Sequence, residues 1–194
     1  MSRKSLGALV VAGSMVFGVS GMALAKSPVP GKPGQANIVE IALAVNSGPL
    51  QEFDYLLAAA TCEYFDGAIV DLLSGTDKYT LFAPTDAAFE ALQRSLGITT
   101  PSPELTCTLP QDVLFIVLAY HVTDGRRFSN SVFNKHASKM VEMLNGQYIV
   151  TNPDLTINDN NGQTIRPAVV NGSPLVNINA SNGVIHVIDT VLLP

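Results

Sequence analysis

The chain has 194 residues, with 16 acidic against 11 basic side chains and a net charge of −5. That balance excludes a general nucleic-acid binder, which needs a basic patch, and fits anionic membrane surfaces poorly. The two cysteines and three histidines lack zinc-ligand spacing, and no GxGxxG or P-loop is present, so no metal or cofactor is expected.

The N-terminus carries Arg3 and Lys4, then an apolar stretch from Leu6 to Val19 broken by Gly and Ser, then Ala23-Leu24-Ala25. This is the pattern of a cleavable secretory signal over residues 1–25, bacterial in style. A membrane anchor would want roughly 20 unbroken apolar residues. No Cys follows Ala25, which argues against lipid attachment. Loss of Arg3 and Lys4 with the leader moves the net charge from −5 to −7. Residues 26–35 (KSPVPGKPGQ) form a Pro/Gly-rich linker. Residues 36–194 then predict one domain large enough to bury a full core. Localisation is expected to be secreted or periplasmic, with a monomer as the default state.

Helical periodicity comes first. Ile38, Ile41, Ala42 and Val45 share one face, as do Phe53, Leu56, Leu57 and Ala60, then Ile69, Leu72 and Leu73 before a C-cap at Gly75. Tyr79–Ala83 predicts a short strand, stopped by Pro84. Thr85 suits a helix N-cap, with Asp86 in the first turn and Phe89, Leu92 and Leu96 as the apolar stripe. Residues 99–108 predict a loop with two prolines. Pro110 suits a first helical position, and Val113, Leu114, Val117 and Leu118 predict a buried helix. Cys62 and Cys107 fall near element ends. An even count in an exported chain suggests a bridge, worth roughly 4 kcal/mol on the loop-entropy model; two buried free thiols are the alternative.

The period then shortens. Tyr148–Val150, Leu155–Ile157, Thr164-Ile165, Val169-Val170 and Leu175–Ile178 are strand-like runs. Asn145-Gly146, Asn161-Gly162, Asn171-Gly172 and Asn182-Gly183 punctuate them and predict successive hairpins, with both residues of each pair tolerating positive φ. Val184–Leu193 is apolar on both faces and predicts an interior strand. Helices first and strands later give an α+β domain, the helices packed on a sandwich or wedge of short strands.

Three segments carry a family resemblance. Tyr79-Thr-Leu-Phe-Ala-Pro-Thr-Asp86 with Ala87–Leu92, then Leu118-Ala-Tyr-His-Val122, then Asn182-Gly-Val-Ile-His-Val-Ile-Asp189 with Val191–Pro194, resemble in order the N-terminal, central and C-terminal boxes of the fasciclin domain. The resemblance covers roughly residues 36–194. It implies an extracellular, non-enzymatic interaction module, of the single-domain secreted type found in bacteria. Some animal members bind integrins through an Asp-Ile element just before the C-terminal box. The matching position here is Asn177-Ile178, where a neutral amide replaces the carboxylate.

The candidate interaction residues are therefore Tyr120, His121, Asn177 and Ile178. For Tyr120 and His121 a structural role at the end of a buried helix competes with recognition. His186, on the last strand, fits a satisfied core histidine. Asn158–Gly162 is a poor match to a calcium loop and fits a hairpin turn better. No GxSxG elbow supports a hydrolase. Two functions remain. One is adhesion to a protein or a cell-surface polysaccharide, which a large exposed apolar patch would favour. The other is binding of a small apolar or carbohydrate ligand between the helical and β halves, which a closed pocket would favour.

Overall fold

The computed structural model describes residues 35–170 and 172–194; the expected signal sequence and nearly all of the expected linker lie outside them. The order is α1 (Ile38–Asn46), α2 (Asp54–Ala60), α3 (Ala68–Ser74), β1 (Tyr79–Pro84), α4 (Asp86–Ser95), α5 (Gln111–Ala119), β2 (Val122–Asp124) and α6 (Ser129–Val132). Strands follow: β3 (Lys139–Glu142), β4 (Tyr148–Thr151), β5 (Ile157–Asn158), β6 (Thr164–Ile165), β7 (Val169–Val170), β8 (Ser173–Pro174), β9 (Ile178–Ala180) and β10 (Gly183–Ile188). Short 3₁₀ turns span Glu63–Phe65 and Pro103–Thr108. The fold is α+β.

The centre is a four-stranded sheet in the order β2-β1-β10-β9. β1 and β10 run parallel in register from Tyr79↔Gly183 to Pro84↔Ile188. All six residues of each are buried, because the sheet is covered on both sides. Tyr79, Leu81, Ala83, Ile185 and Val187 face the helices and join their core. Phe82 and Ile188 face the other way, against Val141, Ile149, Ile157 and Ile165 of a second sheet ordered β3-β4-β5-β6. The result is three layers: helices, central sheet, outer sheet. Three Asn-Gly pairs fall between antiparallel partners, β3/β4, β5/β6 and β7/β8, and the fourth straddles the start of β10, whose Gly183 pairs with Ala180 of β9.

Asn182-Gly183 departs from the expected turn chemistry. Gly146, Gly162 and Gly172 have φ near +80°, but Gly183 does not. Glycine is needed there for space: a Cβ would strike the Tyr79 carbonyl and sit 2.7 Å from Ile38 Cδ1. Asn182 is a buried clasp. Its Oδ1 accepts from Ile38 N (2.9 Å), and its Nδ2 donates to the carbonyls of Leu73 (2.6 Å) and Gly75 (3.0 Å). One amide thus ties α1, α3 and the last hairpin together.

Local signals hold at α4, where Thr85 Oγ1 accepts from Ala88 N (3.3 Å) as the N-cap. Cys62 and Cys107 are disulfide-bonded, 45 residues apart, pinning the end of α2 to the Pro103–Thr108 turn. A loop of that length is worth about 4 kcal/mol on the chain-entropy model. Several boundaries differ from expectation. Pro110 caps α5 from outside it, Leu175–Asn177 precede β9 without joining it, and the last strand ends at Ile188. Leu96 lies past α4 in solvent. The buried-helix reading of α5 is corrected: Leu114 and Leu118 are buried, but Val113, Phe115 and Ile116 are exposed. Only one side of α5 meets the core, so its remaining apolar side chains have nowhere to go but solvent.

The helical layer is not filled. An apolar cavity of about 170 Å³ lies among α1, α2 and α3, with Leu81, Leu118 and Val122 among its walls.

Candidate functional site

Tyr120 and His121 follow α5, where the chain passes into β2. The two rings serve different layers. Tyr120 is 0% exposed and joins the core between the two sheets. Its hydroxyl donates to the Tyr148 carbonyl (2.8 Å) and accepts from Asn160 N (3.2 Å), linking α5 to the outer sheet. Burial raises its phenol above the usual range.

His121 is 2% exposed. Its Nδ1 lies 2.7 Å from the Val117 carbonyl, and its Nε2 accepts from Leu192 N at 2.9 Å. A carbonyl can only accept and an amide can only donate, so the ring is the neutral Nδ1–H tautomer. Burial pushes its pKa down to about 4. His186 is built alike. Nε2 donates to the Arg127 carbonyl (2.9 Å), Nδ1 accepts from Asn177 N (3.4 Å), and the ring stacks on Phe82 at 5.6 Å. Burial lowers its pKa too.

Asn177 is exposed, with φ +63°, a left-handed conformation that asparagine tolerates. Its side chain is engaged: Oδ1 accepts from Ser129 N (2.6 Å) and Nδ2 donates to Ser129 Oγ (2.7 Å). Ile178 is half-buried at the start of β9, opposite Ile185. No hydrogen bond among the described residues joins Tyr120 or His121 to Asn177 or Ile178. The structure places the first pair inside and the second at the sheet edge. Asn158–Gly162 is a tied turn, with Asp159 accepting from Gln163 N (2.8 Å), Gln163 Nε2 (2.7 Å) and Leu193 N (3.0 Å).

Sequence reasoning missed a surface. Leu72 of α3, Phe115 of α5 and Leu144 in the β3–β4 turn are 37%, 49% and 40% exposed and line one shallow groove of about 300 Å³. Val113 and Ile116 add apolar surface on the same helix. The signal was the unbroken apolar run Val113–Ala119. A helix that is hydrophobic all round is ordinarily buried, and here it is not.

Known proteins resemble this chain. The Fasciclin domain profile matches residues 60–194. The uncharacterized protein sll1735 of Synechocystis sp. is 34% identical over 157 residues, covering 81% of this chain and 97% of that protein. Protein sll1483 of the same organism is 32% identical, over 65% of this chain and 61% of its own length. Human Periostin is 32% identical over 65% of this chain, which spans 13% of Periostin. Among solved structures, a FAS1 domain pair from the insect cell adhesion molecule fasciclin I gives a TM-score of 0.54. Its identity is 17%, with 82% of this chain and 51% of that chain covered, so the likeness is one of fold. The profile takes in all three sequence boxes and sll1735 aligns almost end to end, and on that ground the chain belongs to the Fasciclin domain family.

Proposed function

We propose that residues 36–194 act as one exported interaction module, released by cleavage after Ala25, which binds a protein partner through the apolar face of α3 and α5. The groove lined by Leu72, Phe115 and Leu144 carries the reading. Contiguous apolar surface rimmed by polar residues is the usual mark of a protein contact. Tyr79 is the one lining residue with a polar side chain, and such walls suit an apolar protein side chain better than a polysaccharide, whose hydroxyls would lose water there with few partners. Membership of a family that includes an insect cell adhesion molecule supports the same role. Both ring nitrogens of His121 and of His186 are engaged within the fold, which favours a non-enzymatic reading. With Asn177 holding Ser129, recognition through that position is the weaker reading.

The test uses the mature protein recovered outside the cytoplasm, its N-terminus at Lys26. Immobilised wild type and the Leu72→Asp/Phe115→Asp variant are each offered solubilised envelope proteins. Both side chains reach solvent but are partly packed, with the Phe115 ring 6.1 Å from Phe65, so the thermal midpoint of each protein is measured beside its binding. Wild type should retain a discrete partner that the variant loses at an unchanged thermal midpoint. Equal retention by both would sink the proposal.

A further inference from the structure

The geometry points to a second site: the cavity among α1, α2 and α3 takes a small, uncharged, hydrocarbon-like molecule. It is separate from the α3/α5 groove. The two share buried residues such as Ile69 and Leu73, but the exposed residues at the cavity are Leu43 on α1 and Thr61 after α2.

Size comes first. Interiors are close-packed and hold few voids larger than a water molecule. This one is about 170 Å³. An engineered cavity of roughly 150 Å³ lined by Leu, Ile and Phe stays dry and accepts benzene. Leu56, Leu73 and Leu81 present their side chains to the void, and each lacks contact atoms on that side until something fills it.

The lining then fixes the ligand's chemistry. It contains no charged side chain, and its only polar side chains are those of Thr61 and His121. Thr61 spends its hydroxyl proton on the Leu57 carbonyl, 2.7 Å away. His121 has both nitrogens committed, to Val117 and Leu192. A sugar would bury hydroxyls with no partner, and an ion would bury an unpaired charge; both are disfavoured. A hydrocarbon loses nothing. Access is from the helical side: Leu43 is 49% exposed, and Val39, Leu57, Ala60 and Val70 are half-buried, so the void meets solvent over an aliphatic lip.

The probe is toluene, with glucose as the polar comparison, added to the mature protein while its thermal midpoint is followed. A ligand that binds only the folded state raises the midpoint. Toluene should raise it by about 2 °C or more, and glucose should not. Methyl resonances of Leu56 and Leu81, which line the cavity and not the groove, should shift with toluene. Ala42→Leu, which fills the cavity, should abolish the toluene effect. Should that variant fail to fold, Ala60→Leu closes the half-buried rim and must abolish it too. No midpoint rise in wild type, a rise that survives filling, or an equal rise with glucose would overturn the inference. The Leu72→Asp/Phe115→Asp protein should keep its toluene response, so failure of the protein-binding reading leaves this one standing.

Discussion

The two faces of the central sheet are packed differently. Against the outer sheet, Phe82 and Ile188 meet Ile149, Ile157 and Ile165, all of them at most 1% exposed, and the Tyr120 hydroxyl closes the layer with two hydrogen bonds. Against the helices lie a cavity of about 170 Å³ and an apolar groove that reaches solvent. Extra ties hold the looser face: the Cys62–Cys107 bridge, the Asn182 clasp, and the His121 link from Val117 to Leu192. The contrast separates a close-packed frame from a looser face. A tightly packed layer fixes the sheet, and a covalently pinned helical layer keeps its shape while leaving apolar surface and volume unfilled.

If the sheet is the shared frame, deleting β10 should collapse both faces together. Truncation before Val184 removes Ile185 and Val187 from one core and Ile188 and Leu192 from the other. Each fully buried side chain is worth about 1.5–3 kcal/mol, against typical domain stabilities of roughly 5–15 kcal/mol. It also removes the β10 partner of every β1 residue from Thr80 to Pro84, and β2 pairs with only the first half of β1. The truncated protein should show no cooperative thermal transition. A sigmoidal melt would mean that one face folds without the other.

Much of this frame was legible in the sequence. Helical spacing located α1, α2 and α3, and four Asn-Gly pairs located the four hairpins, because those signals are local. The pairing of β1 with β10 was not, since a parallel contact across 104 residues leaves no local mark. Nor were β2, α6 and β3, which are short and weakly patterned. Asn182 looked like a turn residue because an amide that clasps three distant backbones is spelled the same way as one that turns a chain. The α3/α5 groove was hidden for a different reason. The composition of Val113–Ala119 says only that the helix is apolar, and whether a neighbour covers it is decided by the rest of the fold.

Acid should loosen the molecule through its histidines. The His121 pKa is about 4 when folded, below its ordinary value near 6.5, so the unfolded chain binds the extra proton. Its contribution is complete above pH 6.5 and is lost as pH falls toward 4. Between pH 7 and pH 5 the loss should be about 2 kcal/mol, with His186 adding in the same direction. Glu52 and Asp86 have raised carboxyl pKa values, chiefly from burial, so the folded state takes up their protons more readily and they oppose the trend as pH falls. Urea denaturation at pH 7, 6 and 5 measures the slope, which His121→Ala should flatten. An unchanged midpoint across that range would mean that the Nε2–Leu192 bond tolerates a proton, and that this tie between the faces is weak.

The finest distinction needs the smallest substitution. Ile→Val removes one methyl group and costs about 0.5–1.5 kcal/mol in a packed core, through lost transfer free energy and the void left behind. Ile149 is 0% exposed in the layer between the sheets, so Ile149→Val should fall near the top of that range. Ile69 lines the cavity on the helical side, where part of its surface already faces empty space. The methyl deleted by Ile69→Val has fewer contacts to lose, so its cost should fall near the bottom. Chemical denaturation of both variants under one condition, with equal m-values as the check on the unfolded state, gives the difference directly. Equal costs would show that Ile69 is as fully packed as Ile149. The helical face would then be as close-packed as the frame, and the cavity would have to be filled by the protein's own side chains in solution.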